Sequence, residues 1–367
     1  TSENFTLTSG YREKSLGQKI FLWYPANRRG ATHCYNPLDY LAEGSLNRID
    51  EIQKISHQLL PENGLHVNEA RVLIAVLIES VCLDKTKNNS FGEIYRILSG
   101  NDLNNYLESI IARFSDKLGY FCLLNINAFL GKTRENREFI QNLASSALEL
   151  WADPQIDRTT SSSSFNLANF AREKSTLYVV VHPIDIERLR PLLQIFYQQF
   201  ISIWVTTNQR SENNSSSRAN AMLMILDEFE SLGRIKSMES IVFYSRGYRL
   251  KICPIVHNID ELENVYGYEG ACSLLSGCGT RVACCTNNSN TSALIAELVG
   301  SKIIPDDNGS RITVPLLLPQ ELTRLPKEKV IVASDSVAIE CDKSLYYEDP
   351  TFRDRLLIAT HIPSLEI

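Results

Sequence analysis

The chain has 367 residues, 44% of them apolar, which suffices for one large domain or two ordinary ones with a real core. Its net charge of −6 excludes indiscriminate coating of nucleic acid, which needs clustered Lys and Arg, but leaves open a narrow basic channel formed on assembly. The nine cysteines form no CxxC pair and read as reduced thiols of a cytoplasmic protein rather than a disulfide scaffold, no signal peptide is visible, and no apolar run reaches the roughly 18 residues a bilayer span requires.

In chain order, Glu3-Asn4-Phe5, Ser9-Gly10-Tyr11-Arg12 and Leu16-Gly17 precede a strand expected over 19–23, and His33-Cys34-Tyr35-Asn36-Pro37-Leu38 follows it. From about Gly44 to Asp153 the pattern turns helical. Ile49, Ile52, Ile55 and Leu59 recur at helical spacing, Asn68 is placed to cap a helix carrying Val72 to Val81, Ser90 one over 92–98, and Asn101 one over 102–114. A further amphipathic helix is expected over 134–151, and no strand-like alternation interrupts this block. Gly131-Lys132-Thr133 has the letters of a phosphate-binding loop but lacks the earlier glycine and the preceding strand that GxxxxGK[ST] requires, so it is set aside.

After the polar TTSSSS at 159–164, a β-branched strand is expected over 177–181, then a helix from 186 to about 203. Residues 206–220 carry almost no apolar side chains and read as a solvated loop. The uninterrupted apolar run 221–226 then reads as a parallel strand buried on both faces, ending on Asp227 and Glu228. Open α/β sheets bind ligands at that carboxyl end, and in P-loop NTPases an acid there helps to hold Mg2+. The alternative is that the two acids simply cap the next helix. A helix over 235–245 leads to Arg246 and Gly247, and a second strand, 250–256, ends in His257-Asn258. Helices over 259–266 and 269–275, a strand over 280–285, a helix over 292–299 capped by Ser289 or Asn290, a short helix at 319 and strands over 329–333 and 337–341 complete the chain. Gly277-Cys278-Gly279-Thr280 is read as a turn entering a strand, and Cys272, Cys278, Cys284 and Cys285 lack zinc spacing.

The segments Leu226-Asp227-Glu228-Phe229, Leu232-Gly233-Arg234-Ile235, Ser245-Arg246-Gly247-Tyr248 and Val265-Tyr266-Gly267 resemble the motor domain of type IV secretion coupling proteins, the conjugal-transfer TraG/TraD ATPases. The amino-terminal motifs, LLLPQEL at 316–322 and YYEDP at 346–350 extend the resemblance along nearly the whole chain. It implies a RecA-like α/β fold with a mainly parallel sheet, divided as 1–44 and 156–367 around an inserted all-α domain, 45–155. It also implies that the chain starts downstream of its own phosphate-binding loop. The cofactors implied are ATP and Mg2+. Asp227 would hold the metal through water, Glu228 would orient or activate the attacking water, and Arg246 would act in a neighbouring subunit's site. His257 stands where the family usually has a phosphate-sensing glutamine, and Cys34 where a basic residue is usual. The partners implied are single-stranded DNA or a relaxase–DNA complex, effector proteins or adaptors, and the secretion channel, with a homo-hexamer at the cytoplasmic face of the inner membrane.

From the residues alone, Arg246 equally suits the carboxyl end of its helix, where a cation is worth under about 1 kcal/mol. A non-catalytic substrate- or adaptor-binding module is the alternative function. A metal-dependent nuclease is weaker, because no further acid cluster is evident.

Overall fold

The computed structural model describes all residues except 1, 29, 42–46, 62, 101, 213–219, 306–310, 335–336 and 366–367. The expected boundary at 44 and the Asn101 cap therefore lie outside the described residues. By its internal contacts the chain divides into two units, Thr1–Asn220 with Leu357–Ile367, and Ala221–Leu356.

The first unit opens with α1 (Glu3–Lys14) and β1 (Lys19–Trp23). Among the described residues seven α-helices follow: α2 (Arg48–Leu59), α3 (Leu65–Leu83), α4 (Phe91–Ser99), α5 (Leu103–Phe114), α6 (Tyr120–Leu130), α7 (Arg134–Ala147) and α8 (Pro154–Thr159). No strand occurs among the described residues of this block. β2 (Ser175–Val179) then pairs with β1 in parallel, Lys19 opposite Ser175 and Trp23 opposite Val179, two residues earlier than expected. Finally α9 runs Ile186–Glu212, nine residues past its expected end, so 206–212 are helix rather than loop. Thr206 Oγ1 donates to the Ser202 carbonyl and Asn208 Nδ2 to that of Trp204, which lets polar residues continue a helix already nucleated.

The HCYNPL motif is the glue of this unit. Tyr35 is fully buried, with ring centroids 5.0 Å from Trp23 of β1 and 5.1 Å from Phe196 of α9, and its hydroxyl donates to Gln199. The Asn36 carboxamide accepts from the Leu38 N–H and donates to Asn89 O, tying the chain entering the helical block to the α3–α4 connection. Cys34 is buried, which suits a small thiol where the resemblance expected a basic residue. Ser9-Gly10 in α1 receives the chain's last segment: Ser9 Oγ accepts from the Thr360 N–H at 3.1 Å, and Gly10 lies against the Ile358 carbonyl. Lys132 pairs with Glu69 at 2.7 Å and Thr133 caps α7, so the GKT letters have a structural use.

In the second unit β3 (Met222–Leu226), α10 (Lys236–Tyr244), β4 (Leu250–Pro254) and α11 (Ile259–Gly277, broken at Gly267) form a parallel β–α–β–α run. β5 (Thr280–Ala283), α12 (Ser289–Val299), β6 (Ser301–Pro305), β7 (Arg311–Pro315), α13 (Pro319–Leu322), β8 (Lys329–Ser334), β9 (Val337–Asp342) and α14 (Pro350–Arg353) follow. β5-β8-β9 and β6-β7 are antiparallel sets, and the β6-β7 pair was not expected from sequence.

β3 is not buried on both faces: Met224 and Leu226 are buried, but Leu223 and Ile225 are each 57% exposed. Its one strand partner among the described residues is β4. The apolar run reports what the strand would bury if covered. It does not say that the cover lies within these residues.

Candidate functional site

The site is built where β3 ends. The ladder continues one residue beyond β4 and three beyond β3, because the Ile255 N–H donates to Leu226 O (2.9 Å) and Ile255 O accepts from the Phe229 N–H (3.0 Å). One residue on the β4 side thus meets two residues, three apart, on the β3 side. Asp227 and Glu228 are what lies between, looped out of the ladder. Both are exposed, and neither side chain makes a hydrogen bond or ion pair among the described residues.

Glu228 sits at φ 50, ψ 49, in the left-handed region. For a non-glycine residue that costs about 1–2 kcal/mol, and such strain concentrates where chemistry needs it. The reading of the acids as mere caps is overturned for Glu228, whose side chain makes no capping hydrogen bond to the single 3-10 turn that follows, Phe229–Leu232.

That turn is held from two sides. Phe229 is buried and stacks on Tyr266 of α11, with centroids 5.5 Å apart. The Tyr266 hydroxyl accepts from the Ile235 N–H at 3.3 Å, and burial pushes this phenol up to about 12. The Val265-Tyr266-Gly267 motif therefore does structural work at the site. Tyr266 braces the acid turn, and Gly267, at φ 73, breaks α11 directly after it. Arg234 forks onto Glu239 with bonds of 2.8 and 3.1 Å, fixing the entry to α10.

His257 comes to the same end of the sheet, three residues past β4. Its backbone N–H donates to Glu230 Oε1 at 3.3 Å. Glu230 is a residue the sequence reading passed over. It is only 6% exposed, and its Oε2 has no partner among the described residues. An acid lodged between the apolar Phe229 and Leu232 was the available signal.

Arg246 is not brought to this cluster. It precedes β4, in the turn where the Met222 N–H bonds Arg249 O, so it lies beside the start of β3 while the acids lie at its end. Five strand residues separate the two ends by roughly 17 Å. Its exposed guanidinium makes no ion pair among the described residues. Within one chain, then, Asp227, Glu228 and His257 lie at one end of the β3–β4 pair and Arg246 at the other. A separate cavity of about 470 Å3 in the first unit, walled by Phe21, Tyr40, Phe165 and Phe170, contains none of these residues.

A family model described as Type IV secretory system Conjugative DNA transfer matches residues 1–364. The chain belongs to this family. VirD4 of Rhizobium rhizogenes is 26% identical over 371 residues, covering 96% of this chain and 54% of that protein. TraG of Escherichia coli is 24% identical over 405 residues, covering 97% and 63%. The chain thus spans between about half and just under two thirds of the curated relatives it matches. Among solved structures, the plasmid coupling protein TrwB in complex with the non-hydrolysable GTP analogue GDPNP superposes with a TM-score of 0.66 at 15% identity, covering 93% of this chain and 83% of that one. TrwB in complex with ADP and Mg2+ gives 0.64 at 14%. The chain thus shares with TrwB the RecA-like α/β fold inferred from sequence.

Proposed function

We propose that this chain is the motor portion of a type IV coupling protein, using ATP hydrolysis to recruit single-stranded DNA or effector protein and pass it into a secretion channel. The observation that carries the reading is the looped-out Asp227–Glu228 pair at the carboxyl end of a parallel strand, with Glu228 in the left-handed region. TrwB, the solved protein of the same fold, has been seen with ADP and Mg2+.

The residues fit that cofactor. Two unclaimed carboxylates offer the hard oxygen donors that Mg2+ takes, and their exposure leaves room for the waters it retains. When bound, the ion would neutralise charge on the β- and γ-phosphate oxygens. Asp227 would hold it through water. Glu228 would accept a hydrogen bond from the attacking water and so aim its lone pair at the γ-phosphorus. His257, at the end of the neighbouring strand, would meet the phosphate edge. Arg246 sits too far from its own chain's acids to serve them and would complete the site of the next subunit in a homo-hexamer, where such an arginine is worth about 10³–10⁵ in rate.

This reading keeps the partition into 1–44, an all-α 45–155 and 156–367, with substrate engaged by the helical segment, and it places the assembly at the cytoplasmic face of the inner membrane. Mixed rings of the full-length protein test it. Glu228→Gln and Arg246→Ala subunits, each inactive alone, are expected to recover DNA-stimulated turnover when mixed, because some interfaces then join an intact acid pair to an intact arginine. An Arg246→Ala ring as active as wild type would refute the shared site.

A further inference from the structure

Beyond the motif residues, the described part of the second unit contains an acid whose environment the folding of that unit does not explain. Glu230 is 6% exposed, one carboxylate oxygen accepts the His257 N–H, and the other is buried without a partner among the described residues. Burying a carboxylate with half its acceptor capacity unmet is costly, and a carboxamide would accept one N–H at less expense. Such an arrangement is expected where position matters more than stability.

Its place in the fold says what is being positioned. Residues 226, 229 and 230 are each tied to the connector that follows β4, at Ile255, Ile255 and His257 in turn. These three attachments bracket Asp227 and Glu228. The left-handed conformation of Glu228 persists only while the residues on both sides are held. Ladder bonds hold the near side at Leu226 and the far side at Phe229. The Glu230–His257 bond is the last link, and it is made by a side chain, so it alone can be released without unzipping backbone pairs.

We propose that Glu230 is a positioning residue, a latch that couples the His257 connector to the acid turn, so that displacement of His257 by a bound phosphate group is felt as a change in the set of Glu228. The latch rests on the reading of Asp227 and Glu228 as the reaction site. It adds a residue outside the motif and a direction of coupling between the two strand ends.

Two measurements separate the latch from the reading beneath it. In the 367-residue chain without nucleotide, Glu230→Ala is expected to speed amide hydrogen exchange at His257 and Phe229 at least tenfold. Glu230→Gln, whose amide oxygen still accepts the N–H, is expected to stay within about threefold of wild type. Should the Ala variant not fold, Glu230→Asp, too short by one methylene to reach, is read in the same way. In the full-length protein, Glu230→Ala is expected to lower kcat at least tenfold with KM for ATP within twofold, and Glu230→Gln to restore most of the loss. Unchanged exchange at His257 overturns the latch whatever the turnover does. Faster exchange with unchanged kcat overturns the positioning role. If Glu228→Gln in the same preparation also turns over normally, the site assignment itself has failed, and the exchange result shows that the bond nonetheless exists.

Discussion

Glu228 and Arg249 are the two non-glycine residues at positive φ among those described, at 50° and 55°. Each should therefore gain stability on replacement by glycine, the residue with no Cβ to strain there. The left-handed conformation costs a residue with a Cβ about 1–2 kcal/mol, while glycine raises the entropy lost on folding by about 0.5–1 kcal/mol. The net for Glu228→Gly lies between about 0 and 1.5 kcal/mol and centres on a gain of about 0.75 kcal/mol, since no hydrogen bond or ion pair of its side chain is lost among the described residues. Glu228→Gln keeps the strain and should stay within about 0.5 kcal/mol of wild type. Arg249→Gly, at the other end of β4, should match the gain without touching the acids. Urea unfolding measures all three: with an m-value of ~2 kcal/mol/M, each glycine variant should raise the midpoint by roughly 0.3–0.5 M. A fall in stability of about 1 kcal/mol or more for Glu228→Gly would refute the claim that this residue is strained for function.

Other outcomes follow from the first unit. A Cβ built on Gly10 would lie 2.1 Å from the Ile358 carbonyl oxygen, so Gly10→Ala, normally favourable in a helix, should cost about 1–3 kcal/mol and speed amide exchange at Thr360. Burial raises the Asp84 carboxyl, but two bonds from Arg113 (2.8 and 3.0 Å) and the contacts from Thr86 outweigh it and hold it below its ordinary value. A depressed folded value means that the stabilisation is present above the unfolded carboxylate range and is lost as pH falls through the folded one. Arg113→Met raises the folded value, so acid unfolding followed by circular dichroism should begin at higher pH; an unmoved transition would show that the pair contributes nothing.

Much of the fold was legible because local chemistry and tertiary context agree. Ser90 caps α4 as expected, accepting from the Glu93 N–H at 3.2 Å. Asn68, an equally good cap by type, lies inside α3 and accepts from Arg71 at 2.7 Å, while Gly64 begins the helix. Before α12 the run Asn287-Asn288-Ser289-Asn290 contains only cap-competent residues, and Asn288 was selected by the Asp260 carboxylate, which accepts from Asn288 and Asn290 at 2.7 and 2.8 Å. No propensity scale contains that choice. At the site, the acid pair and His257 were visible as polar residues ending apolar runs. Glu230 showed only as an acid between apolar Phe229 and Leu232, and its role was hidden because it depends on a connector 27 residues away. The one-sided exposure of β3 was hidden because Met, Leu and Ile look alike on either face.

In the proposed motor, Glu228 acts on the water attacking bound ATP. The most direct test of that role is Glu228→Gln in the full-length protein, with Mg–ATP binding by calorimetry beside steady-state turnover. Affinity is expected to stay within a few-fold of wild type and turnover to fall at least a hundredfold; turnover unchanged with nucleotide bound would remove Glu228 from the reaction.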